Sequence, residues 1–501
     1  MISPHTPVLI PLVFLVAGLL IPLAGALHRR LAPWVAVGAT GAVAGGCLAG
    51  LAHVVARAPI RYHLGGWAPP VGIAFVLDPL SAFVASVVAC VALVVLVHSL
   101  RVVEHETPDQ VVPYYAAAMI FLTGLTGMIL TGDLFNLYVF LEISSLSGYA
   151  LLGLGNRQAP LSAFRYLTLG TAGASFYLLG LAFLYIETGT LNMADMARIL
   201  PLVPERSVIA VGLVFMTVGM GVKMALFPLH GWLPDAYTNA ASTSTALVAP
   251  IGTKVAAYVL LRLFFFVLGP EAARGELPLL TAVGYLGAAG VIWGSLMAIT
   301  KSELKRMLAY SSVAQVGYIA VGIGLGSPLG FIGAVLHTVN HACMKACLFL
   351  VSANLRMRQA HTHIPRFDQH LRRAMPWSMA AFTLAALSMI GLPPTAGFFS
   401  KWYLALGALE QSNWVFLVAL LASSLLNAVY FFRVLERIYL IRPADPGSAD
   451  VPPETGALAL REVGGSMLVT TVFLAVSLLA LGLLNAWIVT HLIRPMLPAG
   501  L

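Results

Sequence analysis

Charged side chains are scarce in this chain. Asp, Glu, Lys and Arg together make up 10% of its 501 residues, and hydrophobic side chains make up 59%, whereas a soluble domain is about 25% charged. This scarcity excludes an ordinary soluble protein. Apolar runs of about 20 residues, the length that crosses a bilayer as a helix, recur from end to end. The chain is therefore predicted to be one all-α membrane domain with many spans.

Cysteine is also rare. Cys47, Cys90, Cys343 and Cys347 all lie in apolar segments, and none belongs to a CxxC pair. This pattern argues against a disulfide framework and against an iron–sulfur cluster. The sequence has no nucleotide-binding or flavin-binding fingerprint either. We therefore predict no cofactor and no redox chemistry in this chain itself.

Fourteen apolar segments are long enough to be membrane spans. They are 7–27, 31–54, 73–99, 111–131, 133–155, 161–186, 207–227, 241–268, 278–299, 304–325, 329–353, 376–409, 412–440 and 464–490. The first has no basic region before it and no small-residue cleavage site, so it is predicted to be a retained span rather than a signal peptide. An even number of spans places both termini on the same side of the membrane.

The basic residues between the spans are unevenly distributed. Loops after odd-numbered spans hold 17 of the 28 lysines and arginines, and the opposite loops hold seven. Because cytoplasmic loops are enriched in Lys and Arg, both termini are expected to face outward in an inner or plasma membrane. The net charge of +8 does not require a nucleic-acid partner. The seven outward residues are Arg57, Arg61, Arg198, Arg206, Arg262, Arg274 and Arg494.

The four remaining basic residues are lysines inside predicted spans: Lys223, Lys254, Lys345 and Lys401. An ionisable group at the centre of a bilayer costs about 2.5–3.5 kcal/mol on the insertion scale. A chain that keeps several such groups is predicted to use them. Movement of protons or ions is the first hypothesis.

The seventh span is interrupted beside Lys223. Pro228 lacks the N–H that would have bonded the carbonyl of Met224. We therefore expect a free carbonyl next to an ammonium group.

The twelfth span has the same arrangement. Pro393 and Pro394 free the carbonyls of Met389 and Ile390, and Lys401 follows within two turns. Interrupted spans at matching positions in two halves of a chain indicate an inverted repeat with an ion path at mid-membrane.

These interruptions define the predicted organisation. Residues 1–110 hold the first three helices, 111–268 form the first repeat (spans 4–8), 278–440 form the second repeat (spans 9–13), and 441–501 hold a loop and the last helix. All four parts belong to the same membrane domain.

Acidic residues inside the spans are fewer than lysines. Glu142 is the one carboxylate well inside a span, which makes it the natural counter-charge for a buried lysine. The alternative is a structural carboxylate satisfied by serines such as Ser145. Asp133 is predicted to cap the fifth helix. Asp78, at the start of the third span, is either a cap or a functional group.

The eleventh span carries polar residues at intervals of four: His337, His341 and Lys345. This spacing places them on one helix face, about 6 Å apart per step. Neutral imidazole both donates and accepts, so such a stripe is suited to passing protons. A metal site formed by His341 with Cys343 and Cys347 is the weaker alternative, because small thiols are ordinary packing residues. A satisfied core histidine is the main alternative without chemistry.

Two further segments are predicted to have no chemistry. Lys305 and Arg306 lie near the cytoplasmic end of the tenth span, where we assign them to orientation and headgroup contact rather than conduction. The segment 187–206 mixes apolar and charged residues, so it is expected to be a connection along the surface.

Several stretches together resemble a known family. They are LEISSLSGYALLGLG (141–155), VKMALFPLHGWLPDAYTNA (222–240), ELKRMLAYSSVAQVGYI (303–319), HTVNHACMKACLFL (337–350) and GLPPTAGFFSKWYL (391–404). They are similar to the antiporter-like membrane subunits of respiratory complex I, membrane-bound hydrogenases and Mrp-type cation/proton antiporters. The resemblance covers residues 78–440. GTLNMADMA and DLFNLYVFLE favour the D-type subunit of the Mrp-type antiporters or the related hydrogenase subunit.

The resemblance implies a fourteen-helix fold with two inverted five-helix repeats and broken seventh and twelfth helices. It also implies roles along a proton path. The matching positions are the helix-five glutamate Glu142, its helix-seven partner Lys223, the central Lys254, the terminal Lys401, and His337, His341 and Lys345 on helix eleven.

The resulting functional hypothesis is a proton-translocating subunit of a multi-subunit membrane complex. Glu142 beside Lys223 holds the lysine's proton, and separation of the two favours its release. The expected partners are other membrane subunits, protons and, in an antiporter, Na⁺. The first hypothesis is the D-type subunit of an Mrp-type antiporter. The alternative is a proton-pumping subunit of a complex I-like NADH:quinone oxidoreductase or a hydrogenase, and a stand-alone transporter and a structural scaffold also remain open.

Overall fold

The computed structural model describes residues 3–204, 206–269, 278–359, 361–442, 461–498 and 500–501. Predicted outward residue Arg274 and residues 443–460 of the predicted loop lie outside the described residues. The first half contains helices α1 (Thr6–Leu27), α2 (Leu31–Ala56), α3 (Pro79–Glu106), α4 (Val111–Leu130), α5 (Leu134–Gly153), α6 (Ala159–Thr188), α7 (Met193–Ile199), α8 (Arg206–Met224), α9 (Leu233–Asn239) and α10 (Ser242–Arg262). The second half contains α11 (Leu279–Ile299), α12 (Leu304–Leu325), α13 (Pro328–Gln359), α14 (Gln369–Ala374), α15 (Pro376–Ile390), α16 (Ala396–Glu410), α17 (Trp414–Tyr439), α18 (Gly465–Leu483) and α19 (Asn485–Ile488).

The described helices confirm the predicted membrane fold. Thirteen of them are long and apolar enough to cross a bilayer, and they match every predicted span except the twelfth. That span is discontinuous, because α15 and α16 have 15 residues each and are separated by a break at 391–395. With this pair counted as one span, the predicted number of fourteen is confirmed.

The prediction for the third span, 73–99, was wrong at both ends. Strand β1 (Ile60–His63) pairs antiparallel with strand β2 (Ala74–Leu77), so the apolar residues before Asp78 belong to a hairpin. The Asp78 side chain then accepts from Ser81 N in a capping box and starts α3. This confirms the capping role of Asp78.

The connection at 187–206 is more ordered than expected. It contains the short helix α7, and the Asn192 side chain caps it by accepting from Ala194 N and Asp195 N at 3.1 Å. Asp133 likewise caps α5 by accepting from Asn136 N at 2.7 Å, as predicted.

Matching backbone contacts mark the two repeats. In each repeat the start of the second helix exchanges two hydrogen bonds with the segment that follows the third helix. The bonds are Leu134 N to Leu191 O and Met193 N to Gly132 O in the first repeat, and Leu304 N to Thr362 O and Ile364 N to Ser302 O in the second, at 2.8–2.9 Å. Because an odd number of spans separates the two sites, they lie at opposite membrane faces, as an inverted repeat requires.

The core lies between the repeats. Helix α13 is buried along its whole apolar length, and α10 and α12 are nearly so, whereas α1 and α2 are mostly open at the periphery. Most polar side chains on α10, α12 and α13 therefore lie inside the protein rather than in lipid. These three helices carry Lys254, Lys305, His337, His341 and Lys345.

Candidate functional site

The break after α8 directs Lys223 towards α5. Helix α8 ends at Met224, and Ala225 adopts φ 60°, so the chain leaves the helix there. Lys223 Nζ donates to Ser145 Oγ at 2.6 Å and to Tyr149 OH at 2.9 Å. The prediction that its ammonium lies beside a free carbonyl was therefore wrong, because two α5 hydroxyls bind it instead.

Glu142 lies three residues before Ser145 on α5, so it is on the same helix face as these hydroxyls. No ion pair within 4.0 Å joins Glu142 to Lys223 in the part of the chain that the structure describes. The Ser145 hydroxyl donates to Leu141 O at 2.6 Å, so it does not satisfy the carboxylate. Glu142 Oε1 is buried and has no hydrogen-bond partner in the part of the chain that the structure describes. This argues against a purely structural carboxylate at Glu142.

The space for the Lys223 ammonium depends on a glycine. A Cβ atom at Gly170 would lie 2.1 Å from the Tyr149 hydroxyl and 3.1 Å from Lys223 Nζ. Lys223 Nζ is also 5.3 Å from the centre of the Tyr149 ring and 5.9 Å from that of Tyr166. The cation is thus held between α5 and α6 by hydroxyls and aromatic faces.

Lys254 contacts Thr253, which lines a small cavity together with Lys223. Its Nζ donates to Ala249 O at 2.8 Å and to Thr253 Oγ1 at 3.3 Å. Both Lys223 and Thr253 line the cavity, which contains about 30 Å³ in which the centre of a water molecule fits. That is room for roughly two waters beside Lys223 and Thr253.

The stripe on α13 forms as predicted. The rings of His337 and His341 are nearly parallel, with centroids 5.9 Å apart. His337 Nδ1 is 2.9 Å from Ser400 Oγ, whereas His337 Nε2 and both ring nitrogens of His341 have no partner among the described residues. Lys345 Nζ donates to Leu308 O at 2.6 Å and to Ser311 Oγ. These free imidazole nitrogens argue against satisfied core histidines.

Lys401 lies at the break in the twelfth span. Its Nζ donates to Met389 O at 2.8 Å and to Ile390 O at 3.0 Å, which confirms that both freed carbonyls meet an ammonium. It also lies 4.6 Å from the centre of the Tyr318 ring. The Tyr318 ring in turn lies 5.2 Å from that of His337, so Lys401 adjoins the histidine stripe.

The predicted lysines are all inside the protein. Lys223 is 5% exposed, Lys254 2%, Lys345 0% and Lys401 8%. Lys254 and Lys345 both interact electrostatically with His341, and Lys401 does so with His337. The structure therefore buries all four lysines and both histidines in the protein interior. Glu142 lies at its edge, at the α5 end.

The assignment of Lys305 to headgroup contact was wrong. Lys305 is buried on the first turn of α12 and donates to Ala240 O, whereas its neighbour Arg306 is exposed and pairs with Asp235 at 3.0 Å. The sequence carried little sign of this burial, because a lysine beside an arginine at a helix end is typical of a membrane surface. Burial here follows from the loop before α10, which covers this end of α12.

Arg262 was counted among the outward loop residues, but it is largely buried. Its guanidinium binds Asp78 in a bidentate pair at 2.6 and 2.9 Å and contacts the Tyr258 hydroxyl at 2.8 Å. Tyr258 donates to Ile129 O at 2.7 Å. Asp78 is thus both a helix cap and an ion-pair partner.

The thiols on α13 do not converge with His341. Cys347 Sγ contacts Ala381 O at 3.7 Å and Thr471 O at 3.8 Å, and Cys343 lines an apolar cavity together with Cys90. Within the described ranges, no group of three His, Cys, Asp or Glu side chains could hold a metal ion.

Known sequences are similar to this chain over most of its length. The NADH:quinone oxidoreductase/Mrp antiporter transmembrane family matches residues 131–427. NADH-quinone oxidoreductase subunit N of Desulforudis audaxviator is 47% identical over 505 residues, which is 99% of both chains. The D-type subunit of the Na⁺/H⁺ antiporter of Alkalihalophilus pseudofirmus is 30% identical over 373 residues, which is 74% of each chain. These identities favour the complex I-like alternative over the expected Mrp-type antiporter subunit.

The fold agrees as well. A chain of the membrane-bound sulfane sulfur reductase, an archaeal respiratory membrane complex, superimposes with a TM-score of 0.89 at 27% identity and covers 98% of this chain and 97% of that one. The buried lysines, the two broken spans and these matches point to the same conclusion. The chain belongs to the NADH:quinone oxidoreductase/Mrp antiporter family of polytopic membrane subunits.

Proposed function

We propose that this chain is a proton-translocating membrane subunit of a complex I-like, quinone-reducing respiratory complex. One observation carries the proposal. Four buried lysines have no carboxylate within 4.0 Å among the described residues. Unpaired ammonium groups inside a membrane protein are costly, and they are kept where charge must move. The 47% identity to a subunit N over its full length supports the quinone-reducing context.

The path starts at Glu142 and Lys223. The carboxylate has a free oxygen and the ammonium is held by two hydroxyls one turn away. A short movement of α5 along α8 would make or break their direct contact, which changes how firmly Lys223 holds its proton. A proton released from Lys223 reaches Lys254 by way of the small cavity that Lys223 and Thr253 line and the Thr253 hydroxyl that Lys254 contacts.

From Lys254 the path continues on α13. Among the described residues, His341 has two unpartnered nitrogens and His337 has one, so each can accept and pass on a proton through water. Lys345 lies on the same face of α13, to one side of this route. Lys401, beside Tyr318 and near His337, is the last group before the surface.

The test is proton transport by the assembled complex in membrane vesicles. Glu142→Gln, Lys223→Ala and Lys401→Ala are each expected to lower transport strongly while the complex still assembles. The matched control is Arg306→Ala, which removes an exposed cation that is not part of the proposed path. Near-normal transport in all three variants would remove the proposal, and a normal Lys401→Ala alone would move the exit elsewhere.

A second candidate is the D-type subunit of an Mrp-type cation/proton antiporter, which the 30% identity to such a subunit favours. The two functions differ in what drives transport. In vesicles a respiratory subunit pumps protons when the electron donor is supplied, whereas an antiporter subunit moves them when a Na⁺ gradient is imposed.

Dependence on partner subunits separates both candidates from a stand-alone transporter. We propose that the purified chain is inactive alone in liposomes, and that both termini lie on the outer face of the cell membrane. Replacement of the lysines by leucine tests a structural scaffold, because a scaffold would gain stability and keep its role.

A further inference from the structure

A polar cleft opens at the end of the molecule that the loop charges assign to the outside. It lies between strands β1 and β2, helix α7 and the end of α10, and it has a volume of about 610 Å³. This volume is within the range of small-molecule sites, about 300–1,000 Å³. We call it the hairpin cleft, because the β1–β2 hairpin forms one of its walls. In the part of the chain that the structure describes, none of the residues assigned to the proton path lines it.

The hairpin cleft gathers cations from a face where they are scarce. The sequence assigns seven of the 28 lysines and arginines to the outer face. Three of the seven line this cleft, and they are Arg61, Arg198 and Arg262. The His63 side chain also lines it. Because basic residues are depleted from outer loops, their convergence on one cleft indicates an anionic ligand.

Two carboxylates also line the hairpin cleft, and both are already paired. Asp78 accepts from Ser81 N at 2.8 Å and from Arg262 at 2.6 and 2.9 Å. Asp195 pairs with Arg198 on the same helix, α7. Three guanidinium groups therefore face two carboxylates, so the cleft keeps an excess of one positive charge.

The guanidinium groups have donors to spare. Arg61 forms no ion pair within 4.0 Å with any described residue. The Arg198 side chain is 78% exposed, and among the described residues it contacts Asp195 through Nη2 alone. Arg262 Nη1 carries two N–H groups and has one described partner, Asp78 Oδ2. Each arginine therefore has a hydrogen bond left to donate to a ligand.

A phosphate group fits these donors. A guanidinium binds phosphate through two parallel N–H groups, and phosphate has enough oxygens to accept from more than one arginine. The cleft lies at the depth of lipid headgroups, because residues at the ends of α4 and α10 and at the start of α3 line it. The apolar side chains of Val76, Met193 and Phe266 are also part of the lining, which favours a phospholipid over free phosphate as the source.

We propose that the hairpin cleft is a phosphate-binding site, in which Arg61 of the hairpin and Arg198 of α7 hold the phosphate between them and Arg262 supports it from the base. The source of the phosphate is the headgroup of an anionic phospholipid in the outer leaflet. The bound headgroup joins the hairpin to α7, two elements that are distant in sequence. The site does not depend on proton movement through the lysines.

The first test is lipid binding by the complex purified in mild detergent, washed free of loosely held lipid and titrated with phosphatidylglycerol. Native mass spectrometry counts the bound molecules. The double variant Arg61→Gln/Arg198→Gln is expected to lose one tightly bound molecule per copy of this chain. Its affinity at that site is expected to fall on the order of tenfold or more, because charge-assisted hydrogen bonds are removed.

The matched control is the double variant Arg57→Gln/Arg494→Gln. It removes two exposed arginines of the same face that are not part of the cleft lining. The control is expected to bind phosphatidylglycerol as the unsubstituted complex does. An equal loss in the control would overturn the assignment of the lipid to the hairpin cleft.

Isothermal titration calorimetry with inorganic phosphate distinguishes the two sources. Lipid binding that depends on Arg61 and Arg198, without binding of inorganic phosphate, supports a lipid headgroup. Binding of inorganic phosphate that depends on the same two arginines, with an unchanged lipid count, supports the site but assigns it to soluble phosphate. If neither ligand distinguishes the cleft variant from the unsubstituted complex, the proposal is overturned.

A gain of affinity tests the charge argument. Asp195→Asn frees Arg198 and adds one positive charge to the cleft, so phosphatidylglycerol is expected to bind severalfold more tightly. The start of α7 does not depend on this carboxylate, because the Asn192 side chain caps the helix. Unchanged or weaker binding in this variant would contradict recognition of phosphate by the arginines.

A photoreactive phosphatidylglycerol, with the reactive group on its headgroup, locates the bound molecule. It is expected to label peptides that contain residues 60–77 or 192–199, which form two walls of the cleft. The label is expected to decrease in the Arg61→Gln/Arg198→Gln variant. Labelling confined to other segments of an assembled complex would overturn the proposal.

Discussion

The buried ion pair of Asp78 and Arg262 offers a quantitative test of the fold. Their side chains are 18% and 12% exposed and bind through two hydrogen bonds of 2.6 and 2.9 Å. Removal of one partner leaves an uncompensated buried charge, which costs about 3–5 kcal/mol. Arg262→Met is therefore expected to lower the free energy of unfolding by about that amount. Asp78→Asn keeps an acceptor for the α3 cap but leaves Arg262 unpaired, so its loss is expected to be of the same order.

The double variant distinguishes this mechanism from simple loss of packing. With both charges gone, only the hydrogen bonds are lost, each worth about 1 kcal/mol net. The double variant is therefore expected to be more stable than the sum of the single losses predicts, with a coupling energy of at least about 2 kcal/mol. Equilibrium unfolding in mixed micelles, followed by tryptophan fluorescence, measures all four proteins. Single losses that add to within about 0.5 kcal/mol would refute the reasoning.

Three glycine and alanine positions yield further predictions. Ala225→Gly is expected to stabilise the protein by about 1 kcal/mol, because Ala225 has φ 60° and left-handed backbone is unfavourable for alanine; the unfolding midpoint checks this. Gly391→Ala, at φ 94°, is expected to destabilise by about 1–2 kcal/mol in the same assay, and an unchanged midpoint would contradict it. Gly170→Ala is expected to lower proton transport without loss of assembly, because its Cβ would displace Tyr149 and Lys223; normal transport would show that their contact is dispensable.

The sequence predicted the membrane helices well where hydropathy and local signals agreed. Helix α12 begins and ends where its span was predicted, at 304–325. The prediction failed before α3, because strand β2 is apolar and continues directly into the span. Hydropathy cannot separate four apolar strand residues from a helix. Only the pairing with β1 and the cap at Asp78 define the boundary.

The sequence predicted which residues form the site more fully than it predicted the contacts that they make. Burial cost alone identifies Lys223, Lys254, Lys345 and Lys401, since few other roles keep lysines in a membrane. Which atoms they touch depends on the register between helices distant in sequence. The residue Glu142 is the clearest case, because a difference of one turn on α5 places Ser145 rather than the carboxylate at the Lys223 ammonium.

The group formed by Glu106, Ser242, Lys305 and Arg356 was not predicted for the same reason. Glu106 accepts from Ser242 N at 2.8 Å and lies 3.6 Å from Arg356 Nε. Its members come from four helices, and each one alone resembles an ordinary residue at a helix end. The run Ser242 to Thr245 was the available signal, since four hydroxyl residues in an otherwise apolar span exceed what a helix cap needs.

The contact of Lys401 with the end of α15 couples chemistry to mechanics. A neutral amine can still donate to the carbonyls of Met389 and Ile390, but hydrogen bonds from a charged donor are roughly twice as strong. With protons passing through Lys401 as proposed, each departure would slacken the joint between the two half-helices and each arrival would tighten it. The passage of a proton through Lys401 would then slightly change the stiffness of this joint, and that change would be transmitted to neighbouring subunits.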